Sequence, residues 1–138
     1  DRDETRGERR RRGCLTSLKL REVPGEYAVW RLPPDAGLPE VEAEGFLSIT
    51  RTKEEVSVVS SASAVPNGVP CESGWSCLQV VGPLPFDLTG ILARLTALLA
   101  GAKIPIFAVS TYDTDYLLVR TENLQAACTA LREGGCTI

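Results

Sequence analysis

No histidine occurs in the 138 residues. That absence excludes Ser-His-Asp triads, Cys-His dyads, HExxH metal sites and Cys2His2 fingers, and it removes the commonest general acid–base. Any catalytic reading must rest on carboxylates, Lys, Tyr or Cys. Methionine is absent too, even at position 1, so the chain is expected to be part of a longer product or to follow a leader. There is no long apolar run. The longest, Ile91–Ile106, is broken by Arg94, Thr96 and Lys103 and is too short and too interrupted to cross a bilayer. The charged start has no apolar stretch behind it, so no signal-peptide pattern is present. GxGxxG and GxxxxGK are missing, which leaves nucleotide phosphate binding without a motif.

What is present suits a packed core. Hydrophobic residues make up 43% and charged residues 24%, outside the composition of disordered chains. The length fits one domain or two very small half-domains. Charge is unevenly spread. Residues 1–12 hold six Arg (Arg2, Arg6, Arg9, Arg10, Arg11, Arg12) and four acids (Asp1, Asp3, Glu4, Glu8). Removing these from the 15 basic and 18 acidic side chains of the whole leaves nine against fourteen, a net of −5. An acidic body argues against a nucleic-acid partner, and the Arg run reads as a solvated, disordered tail over residues 1–13. The five cysteines (Cys14, Cys71, Cys77, Cys128, Cys136) form no CxxC pair and no zinc spacing. They read as reduced thiols of a cytoplasmic protein, with a Cys71–Cys77 pairing left open.

Along the chain, Leu15–Leu20 reads as a strand, Val23-Pro24-Gly25-Glu26 as a turn, and Tyr27–Leu32 as a second strand stopped by Pro33-Pro34. Asp35–Glu44 shows only Leu38 and Val41 at helical spacing and predicts a short helix. Phe46–Arg51 and Val56–Ser60 predict a hairpin. Ser61–Ser73 reads as a loop and the boundary between two halves. The second half is better patterned. Trp75–Val81 alternates as a strand, and Asp87 or Thr89 is placed to cap a helix. Leu88, Ile91, Leu92, Leu95 and Leu99 make one apolar helical stripe ending at Gly101, a fitting residue just past a helix end. Strands follow at Ile106–Ser110 and Asp115–Arg120 around a turn at Thr111–Thr114. Thr121 then caps a last helix carrying Leu124, Ala127, Cys128 and Leu131, closed by Gly134-Gly135. Cys136–Ile138 begins a final strand. The order strand–helix–strand–strand–helix–strand is the ferredoxin-like βαββαβ unit. The first half offers a degenerate copy. The expected fold class is therefore α+β, two such units with antiparallel sheets and helices on one face, divided as residues 14–70 and 71–138.

Chemistry concentrates in Ser110-Thr111-Tyr112-Asp113-Thr114-Asp115-Tyr116. Three aliphatic hydroxyls and two carboxylates stand in a predicted hairpin turn. Asp and Thr build tight turns by bonding nearby backbone. The same side chains can also form a polar cup for a small zwitterion, with a carboxylate accepting from an ammonium or guanidinium group. Asp113-Thr114-Asp115 is a DxD string but lacks the further oxygen ligands that a metal site needs. The other feature is the start of the first long helix. Free amides and the dipole's positive end there suit a carboxylate, and Gly90 implies close backbone approach to a ligand or to the sheet. In a βαββαβ unit the helix start and the middle hairpin can meet at one sheet edge, pairing donors with acceptors.

Three segments carry a family resemblance: Trp75–Val81, Gly82-Pro83-Leu84-Pro85-Phe86-Asp87-Leu88-Thr89-Gly90-Ile91-Leu92, and Ile106–Val119. Tyr27–Pro33 and Phe46–Val59 extend it, and in all it spans about Leu15 to Gly134. Together they resemble small tandem ACT-domain proteins, related to the cytosolic arginine sensors of the CASTOR type. The resemblance implies a pair of ACT-like units that bind an amino acid at an interface between units. By position it implies ligand contacts at Val59 and Ser60, at Thr89, Gly90 and Ile91, and at Ser110, Thr111, Tyr112, Asp113, Thr114 and Asp115. Asp115 would be the carboxylate facing the basic or amino group. The stretch Ser60-Ser61-Ala62-Ser63 departs from the family's pattern. The expected function is non-enzymatic, regulatory and allosteric, with no cofactor and no metal. A homodimer would complete the site and a regulated protein partner would read it out, with no part for nucleic acid or membrane. Two readings compete with this one. The first is an oligomerisation or protein-interaction module whose ligand site is vestigial, since exposed sheet edges are ready to pair. The second is an enzyme working through Asp113 and Asp115.

Overall fold

In the computed structural model the described residues are 18–42, 44–81 and 90–138. The Arg-rich tail, Cys14, Asp87, Leu88 and Thr89 therefore lie outside them. Among the described residues six strands form one antiparallel sheet: β1 (Leu20–Leu32), β2 (Ser48–Arg51), β3 (Val56–Ser61), β4 (Cys71–Val80), β5 (Ile106–Ser110) and β6 (Asp115–Arg120). The order across the sheet is β2-β3-β1-β4-β6-β5. Each half of the chain thus lays down the same pattern, with its third strand between its first and second. The halves fuse where β1 pairs with β4. Two helices, α1 (Ile91–Gly101) and α2 (Leu124–Glu133), belong to the second half.

β1 corrects the expected turn at residues 23–26. Its pairing with β4 runs from Leu20↔Val80 to Val23↔Cys77 and resumes at Tyr27↔Trp75. Pro24, Gly25 and Glu26 together oppose Ser76 alone, so the chain bulges instead of reversing. A bulge tolerates a residue without an N–H beside one with a positive φ, and Gly25 has φ +112°. The Tyr27 side chain, fully buried, locks this bulge. Its hydroxyl donates to the Pro24 carbonyl at 3.1 Å and accepts the Phe46 N–H at 3.2 Å.

Other expectations are corrected nearby. Among the described residues of 35–44 there is no helix; the segment is irregular. Two apolar positions on one face are too few to hold a helix on a core. Gly101 is the last helical residue of α1, and Lys103 takes the left-handed position past the helix end, with φ +59°. The Ile104 N–H then reaches back to the Leu99 carbonyl at 3.0 Å. Thr121 opens a single 3-10 turn rather than capping α2, and its hydroxyl is shared with that of Ser76 at 3.0 Å. The expected last strand reduces to one parallel bridge, Lys19↔Thr137. Cys71 and Cys77 are both free thiols. Six residues apart on one strand they stand about 20 Å from each other, far beyond disulfide reach.

The sheet's two faces bury different sets. On the helix side Leu20, Leu78, Val80, Leu117 and Val119 meet Ile91, Leu95, Leu99, Ala127 and Leu131. That is the stripe expected of the first helix, met by the face of the second. On the other side, here the open face, Tyr27, Phe46, Val59, Cys77 and Leu118 form a smaller cluster. Half-buried Val23, Val29, Trp75, Phe107, Val109 and Tyr116 surround it. In the first half Trp30, Val56 and Val58 pack under Val41, Val65 and Val69 of the connecting loops. Among the described residues no helix is long and apolar enough to cross a membrane.

Candidate functional site

The β5–β6 hairpin is built as the sequence requires. Ser110 and Asp115 face each other as the last strand pair, and the Ser110 hydroxyl donates to Asp115 Oδ1 at 2.6 Å. Within the turn the Thr111 N–H bonds the Thr114 carbonyl at 2.8 Å. The Thr111 hydroxyl donates to that carbonyl at 3.1 Å and accepts the Thr114 N–H at 3.3 Å. Thr114 is only 6% exposed, and its hydroxyl donates to the Val80 carbonyl at 2.5 Å, tying the hairpin to the end of β4. Thr111 and Thr114 are therefore makers of the turn. Ser110, Asp113 and Asp115 present polar side chains, and Tyr112 stands out at 81% exposure.

Helix α1 starts at this same end of the sheet. β5 begins opposite Val119 and ends opposite Asp115, and α1 delivers the chain to the start of β5. A helix of eleven residues runs about 16 Å, close to the length of the five-residue strand β5 that follows it. Its N-terminus therefore lies at the Asp115 end, on the helix side. Strand alternation puts Ser110 and Asp115 on that side as well, with Leu117 and Val119. Gly90 sits just before the helix in the left-handed region, φ +86°, with open space where a Cβ would project. The backbone conformation demands glycine here, and among the described residues neither sheet packing nor a close contact does. Ile91 is buried in the helix-side core and offers only backbone.

The remaining candidates stand elsewhere. Val59 is buried in the open-face cluster. Ser60 has no exposed surface; its hydroxyl accepts the Trp30 indole N–H at 2.8 Å and donates to the Ser61 carbonyl at 3.1 Å. Both lie on β3, separated from β6 by β1 and β4.

Among the described residues, clefts that escaped the sequence reading include two beside β1. One of about 910 Å³ opens in the first half between the β1 bulge and the chain after β3, lined by Glu26, Glu42, Glu44, Ser61 and Ser63 among others. The other, about 330 Å³, lies on the open face beside the hairpin and includes Arg21, Phe46, Gln79, Thr111 and Tyr116. Both join residues distant in sequence, which no local pattern reports. Burial raises the thiols of Cys77, Cys128 and Cys136 above the ordinary range, Cys77 to about 12. Among the described residues no group of three or more Cys, Asp or Glu side chains is disposed to hold a metal ion.

Comparison with known proteins bears on both halves. The family model described as ACT domain matches residues 71–133. A second model, described as an N-terminal domain, matches residues 25–68. The human protein CASTOR3P is 30% identical over 107 residues, 78% of this chain and 56% of that protein. The chain thus spans about half the length of this relative. The crystal structure of Atu0741 from Agobacterium tumefaciens is 38% identical, with a TM-score of 0.82 over 88% of this chain and 91% of that one. The regulatory subunit of aspartate kinase from Thermus thermophilus shares the fold at 10% identity, with a TM-score of 0.55 over 81% of this chain and 93% of that one.

Proposed function

The chain belongs to the ACT-domain family and is related to the CASTOR-type proteins, and from that premise we propose that it is a non-enzymatic regulatory protein that binds an amino acid. The observation that carries the reading is the hydrogen-bonded Ser110–Asp115 pair, standing at the same end and on the same side of the sheet as the start of α1. A carboxylate held in place by a neighbouring hydroxyl accepts from an ammonium or guanidinium group. Free amides at a helix start receive a carboxylate. The two together suit a zwitterion. The aspartate kinase subunit that shares the fold is itself a regulatory chain by name, which agrees with a binding role over a catalytic one. In this reading residues 14–70 are a degenerate ACT-like unit and residues 71–138 a complete one. The ligand lies at an interface between units, a homodimer supplies the missing side, and the protein works in the cytoplasm. Binding shifts the arrangement of units, and a partner protein responds to that shift.

Thermal unfolding against the twenty amino acids at millimolar concentration tests this. A ligand that binds only the folded state stabilises it by RT ln(1 + [L]/Kd), about 2.7 kcal/mol at a hundred times Kd. An upward shift with one or two amino acids, lost in Asp115→Ala, is expected. A flat response across all twenty refutes the sensor and favours the second reading, an interaction module with a vestigial site. The half-exposed apolar residues of the open face, Phe107 and Val109 among them, are what that reading rests on.

A further inference from the structure

The smaller cleft offers a chemistry that the amino-acid reading leaves unused, on the opposite face of the sheet from Ser110 and Asp115. Arg21 of β1 stands directly across from Gln79 of β4, and its Nε–H donates to Gln79 Oε1 at 2.8 Å. That bond consumes one edge of the guanidinium and fixes its plane. The two terminal amino groups have no partner among the described residues. They form the fork that matches the two oxygens of a carboxylate. Beside this fork the walls are apolar: Val23, Phe46 and Tyr116. The Phe46 and Tyr116 rings lie 4.4 Å apart between centroids, tilted by 37°. Phe46 is buried and its backbone is held by the Tyr27 hydroxyl, so the wall is built before anything binds. Thr111 closes the rim.

We propose that this cleft binds a small carboxylic acid with a planar, apolar body, and that Arg21 is the residue that anchors the carboxylate. The cleft joins an apolar wall to a few convergent polar groups, Arg21, Gln79 and Thr111, and such a combination is what fixes a small molecule's orientation in a binding site. At about 330 Å³ it stands at the low end of the ~300–1,000 Å³ that such sites span. That size admits a single-ring acid and is too small for a folded segment of another protein. The open edge of the guanidinium selects for the anion, and the half-buried Tyr116, backed by Phe46, gives a flat apolar body a wall to lie along.

Benzoate is the probe, with benzamide as its uncharged counterpart, read by amide NMR of the full chain. Benzoate should shift the resonances of Arg21, Phe46, Gln79 and Thr111 in one saturable process. Benzamide should bind at least about tenfold more weakly, the loss expected when a charged hydrogen bond is removed. Arg21→Gln should impose the same loss on benzoate, and Arg21→Lys, which keeps the charge but not the fork, should fall between. Amide dispersion in each variant reports that it is folded. Equal benzoate affinity in Arg21→Gln, shifts confined to other residues, or no saturable shift in the folded protein overturns the assignment. The amino-acid response of the thermal assay should persist in Arg21→Gln. Benzoate binding without any amino-acid response would sink the sensor reading and leave the cleft standing; the reverse result would do the opposite.

Discussion

Thr114→Val is the substitution that most directly asks whether the hairpin is held where the site needs it. The side chain is buried, and its hydroxyl donates to the Val80 carbonyl, 34 residues back along the chain. Valine keeps the branched shape and removes only the donor, leaving a buried carbonyl short of a partner. A lost intramolecular bond costs about 0.5–1.5 kcal/mol, and an unsatisfied buried group about 1–3, so the expected loss is about 2 kcal/mol. With a urea slope of about 2 kcal/mol per molar for a chain of this size, the midpoint should fall by about 1 M, followed through the fluorescence of Trp30 and Trp75. Thr114→Ser keeps the hydroxyl and loses one methyl, about 0.8 kcal/mol, and should fall less. Hydrogen exchange adds a local reading. The Thr111 N–H, which bonds the Thr114 carbonyl, should exchange faster in the valine variant than the global loss alone explains. If valine matches the parent within about 0.5 kcal/mol, which is the usual scatter of surface changes, the hydroxyl does not hold the hairpin and the argument fails.

Three further outcomes follow from backbone and burial. Lys103→Gly should stabilise the chain by up to about 1 kcal/mol, because a left-handed φ of +59° costs a side-chain-bearing residue about that much; a loss of stability would show that the lysine side chain matters more. Gly45→Ala should cost about 3 kcal/mol, since a Cβ there collides with the hydroxyl of buried Tyr27 as well as straining φ +78°. Gly90→Ala, which meets none of the described residues, should cost only about 1 kcal/mol, and comparable losses at the two sites would refute the contrast. Finally, burial holds the Cys77 thiol protonated to about 12, whereas the unfolded thiol ionises near 9. Its contribution is complete below pH 9 and is lost as pH rises towards 12, by at most about 1.4 kcal/mol per unit. Cys77→Ala should flatten that alkaline decline in unfolding experiments.

How much the sequence disclosed depended on whether the deciding interactions were local. Ile106–Ser110, Thr111–Thr114 and Asp115–Arg120 appear in the structure with the expected bounds, because alternation and turn chemistry act between near neighbours. The stripe Ile91, Leu95, Leu99 is buried as its spacing required. Val23-Pro24-Gly25-Glu26 has the composition of a turn and also of a bulge. What settles it is pairing with Cys77 and Trp75, some fifty residues on, which no local rule reports. The left-handed position fell to Lys103 instead of Gly101 because the helix ran to its last glycine. Its extent was set by Leu99 and Ile104 reaching the core, and composition at the helix end had no say in that. The Arg21–Gln79 contact is separated by 58 residues and was invisible for the same reason.

Ser60 asks whether a position carried over from related proteins touches a ligand in this chain. It stands on β3 opposite Ala28, whereas Asp115 stands on β6 opposite the end of β4. The register separates them by about six residues along the strands, about 20 Å, and by three strand spacings, about 14 Å. A free amino acid is too short to bridge that distance within one chain. Nor is the Ser60 hydroxyl available, since it is committed to the Trp30 indole and the Ser61 carbonyl and has no exposed surface. Ser60→Ala should therefore leave the indole N–H of Trp30 unpaired inside the first-half core and cost about 1–3 kcal/mol, while any amino-acid response measured as a shift in unfolding temperature keeps its full size relative to the variant's own baseline. If Ser60→Ala instead abolishes the response at unchanged stability, Ser60 touches the ligand. The serine of a second chain must then be the one that reaches Asp115, with the β3 end open to it in solution.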